Sequence, residues 1–105
     1  IELAETMLEV AFARDYRNYL EEIGLACFDG HELTGLTKTD RLNVVTVTME
    51  QRERFGKIAS TWYVIEEANI YGIVIWQDTE GFVYEAASNA NVKKVADSLS
   101  EYFTR

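Results

Sequence analysis

The stretch Thr61-Trp62-Tyr63-Val64-Ile65-Glu66-Glu67-Ala68-Asn69-Ile70-Tyr71-Gly72-Ile73-Val74-Ile75-Trp76-Gln77-Asp78-Thr79-Glu80-Gly81-Phe82-Val83-Tyr84-Glu85-Ala86 decides the fold. Its runs from Thr61 to Glu66 and from Ile70 to Gln77 are almost continuously apolar, β-branched and aromatic. Such runs predict strands covered, at least in part, on both faces. Glu66-Glu67-Ala68-Asn69 supplies one turn and Asp78-Thr79-Glu80-Gly81 the next, with Gly81 suited to a left-handed position. Phe82 to Ala86 then makes a third antiparallel strand, and Gly72 interrupts the second.

Helices flank this meander. Phe12, Tyr16, Tyr19, Leu20 and Ile23 form one helical stripe, so a helix is expected from Ala13 to Ile23, with Gly24 where its C-terminus would turn left-handed. Leu3, Met7 and Val10 predict a shorter helix over Glu2 to Glu9. Between Leu25 and Thr39 the pair Asp29-Gly30 marks a turn, with Phe28 and Glu32-Leu33-Thr34 as short hairpin arms. Asn43 to Phe55 is divided: Val44-Val45-Thr46-Val47-Thr48 favours strand, Met49 to Arg54 favours helix. An Asn43 cap and a terminal Gly56 favour a helix centred on Val47 to Arg54. Val92, Val95, Ala96, Leu99, Tyr102 and Phe103 recur at helical spacing, predicting a final helix capped by Asn89 or Asn91. The sum is an α+β domain spanning 1–105, an antiparallel sheet packed against amphipathic helices.

Composition narrows the function. The 105 residues carry 18 acids against 10 bases, a net charge of −8. That charge opposes direct binding to nucleic acid, which relies on neutralising phosphates. No run is long enough for a membrane helix, and Ile1-Glu2-Leu3-Ala4-Glu5 is not a signal peptide. The chain begins at Ile1 rather than Met, which points to a fragment or a removed leader. The lone Cys27 excludes an internal disulfide and makes a reducing cytoplasm the default location.

Chemistry is sparse. Cys27 and the lone His31 could form a nucleophile pair. Cys27 between Ala26 and Phe28 suits a small buried residue better, and His31 beside a polar turn suits solvent better. Phosphate loops, dinucleotide fingerprints and zinc-helix motifs are absent from the sequence, and neither a cofactor nor a metal is expected. Glu66 and Glu67 are neighbours that would point to opposite sheet faces. The acid excess lies in residues 1–24, with six acids and two bases, and in 61–105, with seven and three. If these regions adjoin, they make a negative face that steers a basic partner. Trp62, Tyr63, Tyr71, Trp76, Phe82 and Tyr84 crowd into 23 positions, and those left outside the core would be interface anchors.

The order of features resembles a known family. Leu8-Glu9-Val10-Ala11-Phe12-Ala13-Arg14-Asp15-Tyr16-Arg17-Asn18-Tyr19-Leu20 is similar to the opening signature of the SUKH superfamily, the SMI/KNR-like proteins. The two apolar runs and Asp78 to Tyr84 look like its central hairpins, and Val95 to Phe103 like its closing helix. The usual proline would fall at Ala13, and the glycine-rich segment is reduced to Gly24 and Gly30. The resemblance implies an α+β fold, usually no enzyme activity, and a bacterial immunity role. Members of that kind bind a cognate toxin, frequently a nuclease, and block it; others are regulatory or scaffold modules.

The expectation is therefore a cytoplasmic antitoxin, a monomer or weak homodimer, that occludes a toxin with a basic surface. The expected contacts are Glu66, Glu67, Asn69, Asp78 and Glu80 at the hairpin turns, with Tyr71 or Trp76 as anchors. Asp29, His31 and Glu32 form a second candidate set. A small hydrolase using Cys27 and His31 is the remote alternative.

Overall fold

The structure, a computed structural model, describes the chain except residues 24–26, 29–30, 57, 59, 69–71, 88–91 and 105, and the side chains of 27–28. Its elements run α1 (Glu2–Leu8), α2 (Arg14–Glu22), β1 (Cys27–Phe28), β2 (His31–Glu32), a 3-10 turn (Asp40–Leu42), α3 (Val44–Phe55), β3 (Tyr63–Glu67), β4 (Ile73–Gln77), β5 (Val83–Ala87), β6 (Val92–Ala96) and α4 (Leu99–Thr104). The expected α+β architecture is present: β3-β4-β5-β6 form one antiparallel sheet in sequence order, with helices packed on it.

Local rules explain most elements. The Asn43 side chain accepts the N–H groups of Val45 and Thr46, satisfying two donors at the start of α3. This cap, together with tertiary burial of Val44, Val47, Thr48 and Gln51, overrides the β propensity of the valine-threonine run. Gly56 ends the helix at φ +72°. Gly81 takes φ +102° in the β4–β5 turn, the left-handed role expected of it. The expected C-terminal role of Gly24 lies outside the described residues.

Two expectations need correction. The second strand is described from Ile73, and its expected start at Ile70 lies outside the described residues; Gly72, at φ +70°, precedes β4 instead of interrupting it. More importantly, residues 92–96 are not the first turns of the final helix but a fourth strand. β5 supplies the reason. Its free edge takes Val92, Lys93, Lys94 and Ala96 opposite Ala86, Glu85, Tyr84 and Val83. The cross-strand Glu85–Lys93 pairing and the Lys94 ammonium, 4.2 Å above the Phe82 ring, favour that arrangement. Helix α4 starts only at Leu99, whose N–H donates to Asp15 Oδ2 at 2.8 Å.

Apolar side chains line both faces of the sheet. One face carries Tyr63, Ile65, Ile75 and Val83, which pack against Leu8, Phe12, Tyr16, Leu99 and Tyr102. The other carries Val64, Val74, Trp76 and Ala86, packed against Val47 of α3 with Phe55, Trp62 and Tyr84 at the margin. Arg52 ties α3 to its neighbours, donating to the carbonyls of Leu8 (3.0 Å), Ser60 (2.7 Å) and Trp62 (3.2 Å). Its charge sits at the C-terminal end of α1, where a cation is favoured.

Candidate functional site

The two hairpin turns lie at opposite ends of β4, a strand of five residues, or roughly 17 Å. The expected single contact surface therefore resolves into two. Glu66, Glu67, His31 and Glu32 gather at one end, and Asp78 and Glu80 sit at the other. Asn69, Tyr71 and Asp29 lie outside the described residues.

At the first end Glu66 is not a solvated turn residue. It is 5% exposed. A β-bulge between Val64 and Glu66 adds one residue to β3, so Glu66 pairs with Ile75 and turns to the face carrying Tyr102. There its carboxylate accepts the Tyr102 hydroxyl and the Glu32 N–H (3.2 Å), and it meets His31 Nδ1 at 3.0 Å. The expectation of Glu66 as a surface contact is corrected by these three partners. Glu67 points the other way, as strand alternation requires, and accepts Gln51 Nε2 at 2.6 Å. Glu32 is bound by Arg41 at 2.6 Å, and that hydrogen bond holds its carboxyl below the usual carboxylate range. His31 also packs against the rings of Tyr102 and Phe103, so it is a joint between β2 and α4 rather than a loop residue in solvent.

At the second end Asp78 organises its own turn. Oδ1 accepts the N–H groups of Glu80 and Phe82, each at 3.0 Å, and Oδ2 accepts the Tyr84 hydroxyl at 2.8 Å. Burial, and then that bond to a carboxylate, push the Tyr84 hydroxyl up to about 12. Trp76 is fully buried, in edge contact with Phe55, which corrects its expected role as an exposed anchor. A continuous apolar strand under α3 leaves its ring no way out. Trp62 is instead the indole at the margin, stacked on Tyr84 at 3.9 Å with ring planes 10° apart.

Beside this turn the first and last parts of the chain adjoin. Arg14, Asp15, Asn18, Glu80, Asp97 and Ser98 line an open cleft of about 290 Å³. Glu80 and Asp97 are exposed there, Asp97 in an ion pair with Lys94 at 2.5 Å, and Asp15 is held by Gln77 and the N–H of Leu99. Sequence reasoning missed Asp15 and Asp97 as individuals. Only the acid excess of the two terminal regions pointed to them.

The Cys27 side chain lies outside the described residues, and His31 Nδ1 is engaged by Glu66. Among the described residues, no group of three His, Cys, Asp or Glu is placed to hold a metal ion. Among the same residues, no helix is long and apolar enough to cross a membrane.

No curated protein matches the chain. A family model does, over residues 1–105: SUKH_5, described as SMI1-KNR4 cell-wall. The position where the resembling pattern carries proline is instructive. Ala13 has φ −59°, within the range proline imposes, but its N–H donates to the buried Tyr63 hydroxyl at 2.8 Å, a bond proline lacks the hydrogen to make. With the match spanning every residue, the chain belongs to the SMI1-KNR4 cell-wall family, SUKH_5.

Proposed function

We propose that this protein is an immunity-type module that binds a cognate protein toxin and neutralises it by steric occlusion in the cytoplasm. The observation that carries this reading is the family match over residues 1–105. The net charge of −8 supports a partner with a basic surface, such as a nuclease that grips phosphate. The surface offered is the acidic cleft, with Glu80 and the Lys94-paired Asp97 as its exposed carboxylates.

Co-expression with toxin reading frames from the same operon tests it. Rescue of growth and co-purification of an equimolar complex are the expected results. The Glu80→Lys, Asp97→Lys double variant slows association and flattens its salt dependence. A complex that forms at the same rate with this variant removes the cleft from the interface. Failure of rescue by every neighbouring toxin frame favours the second reading, a non-catalytic regulatory or scaffold module, which the same family match supports.

A further inference from the structure

One flank of the molecule carries apolar side chains that no described residue covers. Leu3 and Met7 stand one turn apart on α1, and Leu36 and Val45 line the same open groove of about 410 Å³. Leu3 is 72% exposed, Met7 50% and Leu36 38%. Met49, 45% exposed, lies one turn beyond Val45 on α3 and prolongs the stripe. Single exposed apolar side chains are ordinary on a protein surface; a contiguous stripe shared by two helices marks an interaction surface.

The charges beside the stripe define what fits it. The other flank of α1 carries Glu2, Glu5 and Glu9, which line a shallow trough of their own, where Arg17 pairs with Glu5 at 2.6 Å and reaches Glu2 at 3.7 Å. On α3, Glu50 and Glu53 are exposed and follow Met49 on its outward side. An apolar stripe that runs into Glu50 and Glu53 on α3, on a molecule of net charge −8, complements a helix with an apolar face flanked by lysine or arginine. The same acidity argues against other occupants. A second copy would bring another charge of −8, with mutual repulsion. A phospholipid surface is itself anionic.

We infer that the α1–α3 groove docks a cationic amphipathic helix of a partner protein. Leu3, Met7 and Met49 take its apolar face, and the flexible thioethers adapt to side chains of different shape. Glu50 and Glu53 set its orientation, and the net charge of −8 speeds its approach. The groove uses residues distinct from the acidic cleft, and the inference stands whether or not the partner is a toxin.

Calorimetric titration of the full chain with a synthetic amphipathic helix of leucine and lysine, about 14 residues or ~21 Å long, tests it. Saturable equimolar binding that weakens with salt is expected. The Leu3→Ser, Met7→Ser double variant weakens it roughly tenfold. Both substituted side chains are exposed, and an unaltered melting curve verifies the fold. Equal affinity for a peptide of the same composition without an apolar face overturns the inference, as does unchanged binding to the double variant. Concentration-dependent dimerisation abolished by that variant assigns the groove to a second copy, and equal binding to phosphatidylserine vesicles assigns it to lipid; either result overturns it.

Discussion

Asp15 and Gln77, 62 residues apart in sequence, are joined by a 2.9 Å hydrogen bond from Gln77 Nε2 to Asp15 Oδ1. The bond sits inside a continuous polar chain. The Ala13 N–H donates to Tyr63 Oη, Tyr63 Oη donates to Gln77 Oε1, and Gln77 Nε2 also reaches the Gly81 carbonyl. Asp15 Oδ2 accepts the Leu99 N–H at the start of α4. One carboxylate and one amide thereby connect α2, β3, the β4–β5 turn and α4.

Gln77→Leu leaves buried partners unpaired and lowers stability by about 1–3 kcal/mol. Asp15→Ala lowers it by a similar amount and frays α4. Urea denaturation of the two single variants and the double variant checks this. The double variant should lose less than the two single losses added together, because both sever one network.

Glu66→Lys places a cation where a buried carboxylate receives Tyr102, His31 and the Glu32 N–H, and it should prevent folding. Glu80→Lys, at an exposed turn position, should stay within about 0.5 kcal/mol of the parent. Soluble yield and thermal melting distinguish the two. Equal tolerance would contradict the buried placement of Glu66.

The two tryptophans should separate cleanly. Trp76→Ala empties a fully buried site and costs roughly 3–5 kcal/mol. Trp62→Ala removes a half-buried ring stacked on Tyr84 and costs about 1 kcal/mol beyond the area it loses. With each tryptophan replaced by phenylalanine in turn, acrylamide should quench the variant retaining Trp62 and spare the one retaining Trp76.

Alkaline pH should unfold the protein. Burial raises the hydroxyls of Tyr16 and Tyr63 above the ordinary tyrosine value, and Tyr84 is raised to about 12. A group that holds its proton more tightly when folded contributes its full stability below its unfolded value. That stability is lost as the pH rises past it. The loss should begin near the ordinary tyrosine value of 10 and proceed through about 12 as Tyr84 ionises. Tyrosinate absorbance followed with circular dichroism should show Tyr16 and Tyr63 ionising only as the fold is lost.

Helix α2, helix α3 and the two hairpins were legible because their signals are local: an apolar stripe, the Asn43 cap, the Asp78–Gly81 turn. Strand β6 was not. Val92, Val95 and Ala96 fit a helical stripe as well as a strand, and the free edge of β5 that chooses between them is a tertiary fact. The onset of α4 was hidden for the same reason, since Leu99 bonds to a carboxylate 84 residues away. Glu66 read as a turn acid because a bulge, which has no local sequence mark here, decides which face it meets. The cleft was visible only as an acid excess at both ends of the chain, a statement about totals that assigned no residue.

Strand β6 ends the sheet with Lys93 and Lys94, both exposed, in a molecule that is otherwise acidic. An unpaired β margin invites other chains to zip onto it, and lysines there make such stacking bring like charges together. Growth of a stacked assembly from that border is accordingly opposed by repulsion between the lysines of successive copies.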